Sequence, residues 1–151
     1  MVELTTQPID VTPLLSQAQQ PAAGAVLLFL GISRQFTGEK ETVELAYEAY
    51  HEMAQRQLAS LEANARGRWE LVDCIIVHRL GVVPISEASV AVVVSSPHRA
   101  AVFEAGQWLI DTLKATAPIW KQERWANGET EWVHPQKPPA PPVDRGAIGG
   151  V

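Results

Sequence analysis

The sequence predicts an α+β domain with a mainly antiparallel sheet. Three observations carry that reading. Short, β-branched apolar runs alternate with stretches of helical period, and none is long enough to cross a membrane. The runs lie too close together for every strand pair to be bridged by a crossover helix. The chain then closes on an Asn-Gly pair between two aromatic-rich segments, the signature of a hairpin, which we expect to form a small C-terminal lobe.

Taken in order, residues 10–20 predict a short helix that starts after Asp10 and stops before "PAAG". "GAVLLFLGIS" (24–33) is a continuous apolar run between glycines and predicts a buried strand. In "TVELAYEAY" (42–50), Val43, Leu45 and Tyr47 alternate with Glu44 and Glu48, which predicts a half-buried strand. From His51 to about Ala65, Met53, Leu58, Leu61 and Ala65 recur at helical spacing, with Gly67 as the stop signal. "WELVDCIIVHRLG" (69–81) and "ASVAVVVSS" (88–96) predict neighbouring strands joined by a turn around Pro84. A helix follows from Pro97 to about Lys114, with Val102, Phe103, Leu109, Ile110 and Leu113 as its apolar stripe and Glu104 and Asp111 towards solvent.

The hairpin is "IWKQERWANGETEWV" (119–133), and a two-residue Asn127-Gly128 turn needs positive φ at both positions. That register sets Arg124 opposite Glu131 and Lys121 opposite His134. Residues 1–135 then make one domain, and the Pro- and Gly-rich residues 136–151 a tail too broken to pack as a helix.

Composition narrows the function. The chain has 151 residues and a net charge of −5, which excludes general binding to phosphate backbones but leaves room for a local basic pocket with a small ligand. The single cysteine, Cys74, excludes a disulfide framework and a cysteine-cluster metal site, and its place in an apolar strand predicts an inert side chain. With neither a signal-peptide pattern nor a membrane span, the chain is expected in the cytoplasm.

Five cationic positions stand out. His98 and Arg99 sit at a helix start, where the dipole already places positive charge; the arrangement makes sense if free amides and both side chains converge on an anion such as a phosphate. Arg34 follows a buried strand end, a place where sites gather, and supplies a second fork. Lys114 suits the last turn of its helix. Lys121 lies in mid-strand beside Trp120, where an aromatic wall would desolvate the amine. The pair His78-Arg79 ends a strand with no helix start behind it and is expected to be structural.

His98 and Lys114 are separated by about 24 Å along one helix, at about 1.5 Å per residue. One small ligand cannot touch both on one chain. If both ends serve one reaction, a second copy must bring them together.

"HRAAVFEAGQWLIDTLKATAPIWKQE" (98–123) closely resembles the signature of the large, catalytic subunit of molybdopterin synthase. "GAVLLFLGISR", "IVHRLG" and "NGETEWV" fall in that family's order, so the resemblance spans roughly residues 8–135. It implies an α/β hammerhead-type fold with a small β subdomain. It also implies a central homodimer with shared active sites and a small ubiquitin-like subunit at each end, whose C-terminal Gly-Gly thiocarboxylate donates sulfur. The substrate so implied is cyclic pyranopterin monophosphate, which receives two sulfurs to become the dithiolene of molybdopterin, with no metal or cofactor required. By position, Lys114 and Lys121 are the implied catalytic lysines. Arg34, His98 and Arg99 are the implied phosphate and pterin contacts, and Phe29 helps to line the pocket. The alternatives are a non-catalytic module for a phosphorylated small molecule and a scaffold for another protein's tail.

Overall fold

Two sheets stand side by side in the computed structural model, which describes residues 1–133. The first has the order β1 (Val2–Thr5), β5 (Asp73–Arg79), β7 (Ala88–Ser96), β2 (Ala25–Ile32). Its inner pairs are antiparallel, but β1 runs parallel to β5, so the sheet is mixed. The second sheet is antiparallel throughout. β4 (Lys40–Ala49) lies between β8 (Ile119–Trp125) on one side and β3 (Phe36–Thr37) and β6 (Gly81–Val83) on the other, and β9 (Thr130–Val133) lies outside β8.

The unbroken apolar runs of β5 and β7 have a simple cause, because both faces of the first sheet are covered. Cys74, Ile76, Val90, Val92 and Val94 face α2 (His51–Arg68) and α3 (Arg99–Thr116), in a core with Leu58, Leu61, Leu109 and Leu113. Their alternate neighbours Ile75, Val77, Ala91 and Val93 face Leu14 and Ala18 of α1 (Val11–Ala18). Asp10 caps α1 as expected, its carboxylate accepting from the Thr12 amide at 3.0 Å.

α3 starts two residues later than the sequence suggests. His98 is its N-cap but makes no side-chain capping bond; the Ser96 hydroxyl instead accepts from the His98 amide at 3.4 Å. Pro97 is held against the start of β2, where Gly24 donates its amide to Ser96 at 3.0 Å. A side chain at Gly24 would meet the Pro97 carbonyl oxygen at 2.2 Å, so only glycine allows this approach. The misplaced charge of Arg99 costs the helix about 0.3–1 kcal/mol. Burying Val102, Leu109 and Leu113 contributes roughly 1.5–3 kcal/mol per side chain, so packing decides that the helix forms.

Several expected details are corrected. Phe103 is 63% exposed, because Ala105 and Gly106 take the face turned to the sheet. Met53 is exposed and Ala54 is the buried residue; α2 also runs through Gly67 to Arg68. Val43 points outward and Thr42 inward, because the ladder shifts register between Thr42 and Glu44.

The hairpin turn has three residues rather than two. Gly128 donates to the Trp125 carbonyl and Trp125 to Glu129, and only Gly128 has positive φ, at 86°. This is a tight turn followed by a glycine bulge, and it moves the register by one. Arg124 therefore lies opposite Thr130 and Lys121 opposite Val133, while Arg124 bonds Glu44 across the other edge of β8 at 3.0 Å. Nor is the hairpin a lobe of its own, because β8 pairs with β4 from Trp125 back to Ile119. The expected tail, 136–151, lies outside the described residues.

Candidate functional site

α3 ends where Ala117 precedes Pro118, since the proline ring drives the residue before it into an extended conformation (φ −67°, ψ 130°). The chain leaves the first sheet's helical layer there and enters β8 of the second sheet. Lys114 in the last helical turn and Lys121 in the strand thereby line one cleft of about 440 Å³. Arg34 joins them from just past the end of β2, where the ladder shifts register between Gly31 and Ile32. Ser33 is tied down at both backbone groups, donating to Glu87 and accepting from Ser86.

The cleft's charge is uneven. Arg34, Lys114 and Lys121 face a single carboxylate, Glu123, on a chain whose net charge is negative. Lys121 and Glu123 stand on the same face of β8 and pair at 3.0 Å, with the Glu123 side chain almost fully buried. Trp120 is not the expected aromatic wall, because it lies on the other face of the strand; the ring beside Lys121 is that of Tyr47, its cross-strand neighbour on β4, and the partner of the amine is Glu123. The buried Ser33 hydroxyl, in a residue that lines the cleft, has no hydrogen-bond partner among the described residues. The arrangement suits a compact anion held by two amines and a guanidinium.

Two cleft residues escape a reading of the sequence alone. Glu123 is signalled only by its i, i+2 spacing from Lys121. His78 lines the cleft from the end of β5, edge-on to Tyr47 at 5.2 Å between ring centres. Its Nδ1–H donates to the Arg79 carbonyl at 2.9 Å, which leaves Nε2 with its lone pair. Burial, aided by the positive charge of Lys114 and opposed by that hydrogen bond, pushes the imidazole down to about 4. Arg79, by contrast, is structural as expected, buried and paired with Glu87.

The neutral His78 predicts a pH dependence of stability. Unfolded, the ring takes up its proton near 6.5; folded, only near 4. The unfolded chain therefore binds more protons below 6.5, and stability present above that pH is lost as the pH falls towards 4. The loss should reach about 2–3 kcal/mol by pH 4.5. Urea unfolding of the wild type and of His78→Gln should show the steeper acid loss in the wild type only. Parallel slopes would rule the assignment out.

The remaining expected site residues lie elsewhere. His98 and Arg99 are exposed at the far end of α3 and do not line the cleft. Phe29 lies on β2 opposite Val92, packed against the core beneath the helices. Cys74 is buried, and burial raises its thiol to about 12, so it is inert as expected.

Comparison with known proteins follows the same lines. A family model described as "MoaE protein" matches residues 4–116. The molybdopterin synthase catalytic subunit of Bacillus subtilis is 42% identical over 134 residues, covering 89% of this chain and 85% of the relative. The crystal structure of molybdopterin synthase from Staphylococcus aureus superposes with a TM-score of 0.82 at 34% identity, covering 87% of this chain and 95% of that one. A chain in the complex of subunits 1 and 2 of molybdopterin-converting factor from Helicobacter pylori shares the fold, with a TM-score of 0.73 at 23% identity and coverage of 91% and 93%.

Proposed function

The chain belongs to the MoaE protein family and is a molybdopterin synthase catalytic subunit of molybdenum cofactor biosynthesis, and from that premise we propose which of its residues carry the reaction. Lys114 and Lys121 act at the point of sulfur transfer, and Arg34 anchors the anionic end of the substrate, cyclic pyranopterin monophosphate. The observation that carries this reading is the convergence of these three cations, from three separate elements, on one cleft.

The sulfur donor is the thiocarboxylate at the C-terminal Gly-Gly of a small ubiquitin-like partner. Because the partner brings the nucleophile, the chain needs no reactive cysteine, and the inert Cys74 fits that demand. The cleft's task is to position two anions together, offset their repulsion, and pass protons to the departing oxygen. An ammonium can do all three, since it carries charge, donates hydrogen bonds and releases a proton. Glu123 holds the Lys121 amine in place, and the Nε2 of His78 keeps a lone pair at the cleft's lining.

His98 and Arg99 complete the site of a second copy, and Phe29 helps to line the pocket. In this reading the working unit is a homodimer with shared active sites, flanked by the small subunits in the cytoplasm. The two-sheet arrangement supports the hammerhead-type fold, with residues 1–135 as the synthase domain and 136–151 as its tail.

Reconstitution tests the reading as a whole. The purified chain, mixed with thiocarboxylated small subunit and the cyclic pterin, is expected to yield dithiolene product without added metal. A chain that binds the pterin phosphate but forms no product with a competent donor would instead be a binding module.

A further inference from the structure

The outer face of the second sheet carries an aromatic cleft that the sulfur transfer does not use. Successive residues of a strand point to opposite faces, so Trp120 faces away from the site that holds Lys121. Trp120 meets Tyr50 edge-on, with ring centres 4.7 Å apart and planes at 89°. Trp132 of β9 closes the cleft, and Glu48 and Ala49 complete its lining, around a volume of about 280 Å³. Tyr50 is 64% and Trp132 45% exposed, an unusual amount of aromatic surface to leave to water.

We propose that this cleft is the docking site of the chain's own proline-rich segment, Pro135–Pro142. Four observations carry the inference. Crossed Tyr and Trp rings form the slots that recognise polyproline II ridges, because the stiff proline helix offers a flat apolar edge and gives up little entropy on binding. The segment "PQKPPAPP" holds five of the chain's eleven prolines within eight residues. β9 ends beside the cleft: Val133 pairs with Lys121, the neighbour of Trp120, and Trp120 in turn pairs with Glu48 of β4. From β9 to β4 is two strand spacings, about 10 Å, which three or four residues at about 3.1 Å each can cross. Finally, Lys137 is the segment's sole charged residue and Glu48 the cleft's sole charged residue, of opposite sign.

Indole NMR signals of the full chain test this. Trp120 and Trp132 are assigned by single substitution, and Trp69 and Trp108, which pack on each other at the helical layer, serve as references. The variant Pro138→Ser/Pro139→Ser/Pro141→Ser/Pro142→Ser is expected to move the Trp120 and Trp132 signals, leave Trp69 and Trp108 in place, and do so equally on dilution. Lys137→Glu should move the same two signals in the same direction. Unmoved signals would overturn the proposal. So would a difference that vanishes on dilution, which would assign the cleft to a second copy's tail. A difference seen only with the small subunit present would assign the cleft to that partner instead.

Discussion

Replacing Lys121 with alanine is expected to lower dithiolene formation by about 10²–10³-fold, the range for removing one charged donor aimed at a reacting group. The reason is positional. β8 presents the amine into the cleft, and Glu123 fixes it there at 3.0 Å. Among the described residues the cleft's other cations come from elsewhere: Lys114 from the helix end and Arg34 from beyond β2. Alanine at 121 also leaves the nearly buried Glu123 carboxylate without its partner, a structural cost that a turnover assay alone would confuse with lost chemistry. The double variant Lys121→Ala/Glu123→Gln removes both charges, so a loss that persists in it, with unchanged circular dichroism, reports on the amine. Lys114→Ala should fall in the same range and has no such complication, because Lys114 is exposed and makes no ion pair among the described residues. Affinity for the pterin phosphate should change far less in each case, since Arg34 remains. Turnover within a few-fold of wild type in both lysine variants would leave a binding site without lysine chemistry.

How far the sequence spoke for itself depends on the range of the contacts involved. The strands 24–33 and 88–96 and the helices after Asp10 and His51 were legible because periodicity, glycine stops and caps act over a few residues. β1 was not, because four residues carry no period and its parallel partner is over seventy positions away. The Asn-Gly pair announced a hairpin, but the same dipeptide serves a two-residue turn and a three-residue turn with a bulge, and the register followed the second. His78 read as structural because its local context has no helix start; its place on the cleft wall arises only when the second sheet closes over the end of β5. Lys114 and Lys121 read as catalytic through the family resemblance alone, since their own context offers only a helix end and a place in mid-strand. What joins them is the Ala117-Pro118 break, which turns the chain from the helix into β8 so that both line one cleft.

The proposed division of the site between two chains predicts the other large effect. The cleft, if round, is roughly 9 Å across, whereas His98 stands about 24 Å along α3 from Lys114. Arg99→Ala and Lys121→Ala should each be nearly inactive as pure homodimers, for unrelated reasons: one lacks an anion contact, the other an amine. Mixed and allowed to exchange, half of the dimers carry one subunit of each kind. In such a dimer one site receives both defects and the other receives neither, because its lysines come from the Arg99→Ala subunit and its arginine from the Lys121→Ala subunit. Activity is therefore expected to return to about one quarter of wild type, a statistical limit set by random pairing of a two-fold assembly. Covalent linking of one subunit of each kind should raise it to about half, because every dimer is then mixed. A chain that built its whole site from its own residues would show no recovery in either experiment, since each subunit would carry its own defect into its own cleft. The charge at the start of α3 has no local use in the chain that bears it: His98 makes no cap, and neither His98 nor Arg99 forms an ion pair among the described residues. A cation pair that its own helix repels is retained at a small cost if it neutralises an anion bound to the neighbouring copy.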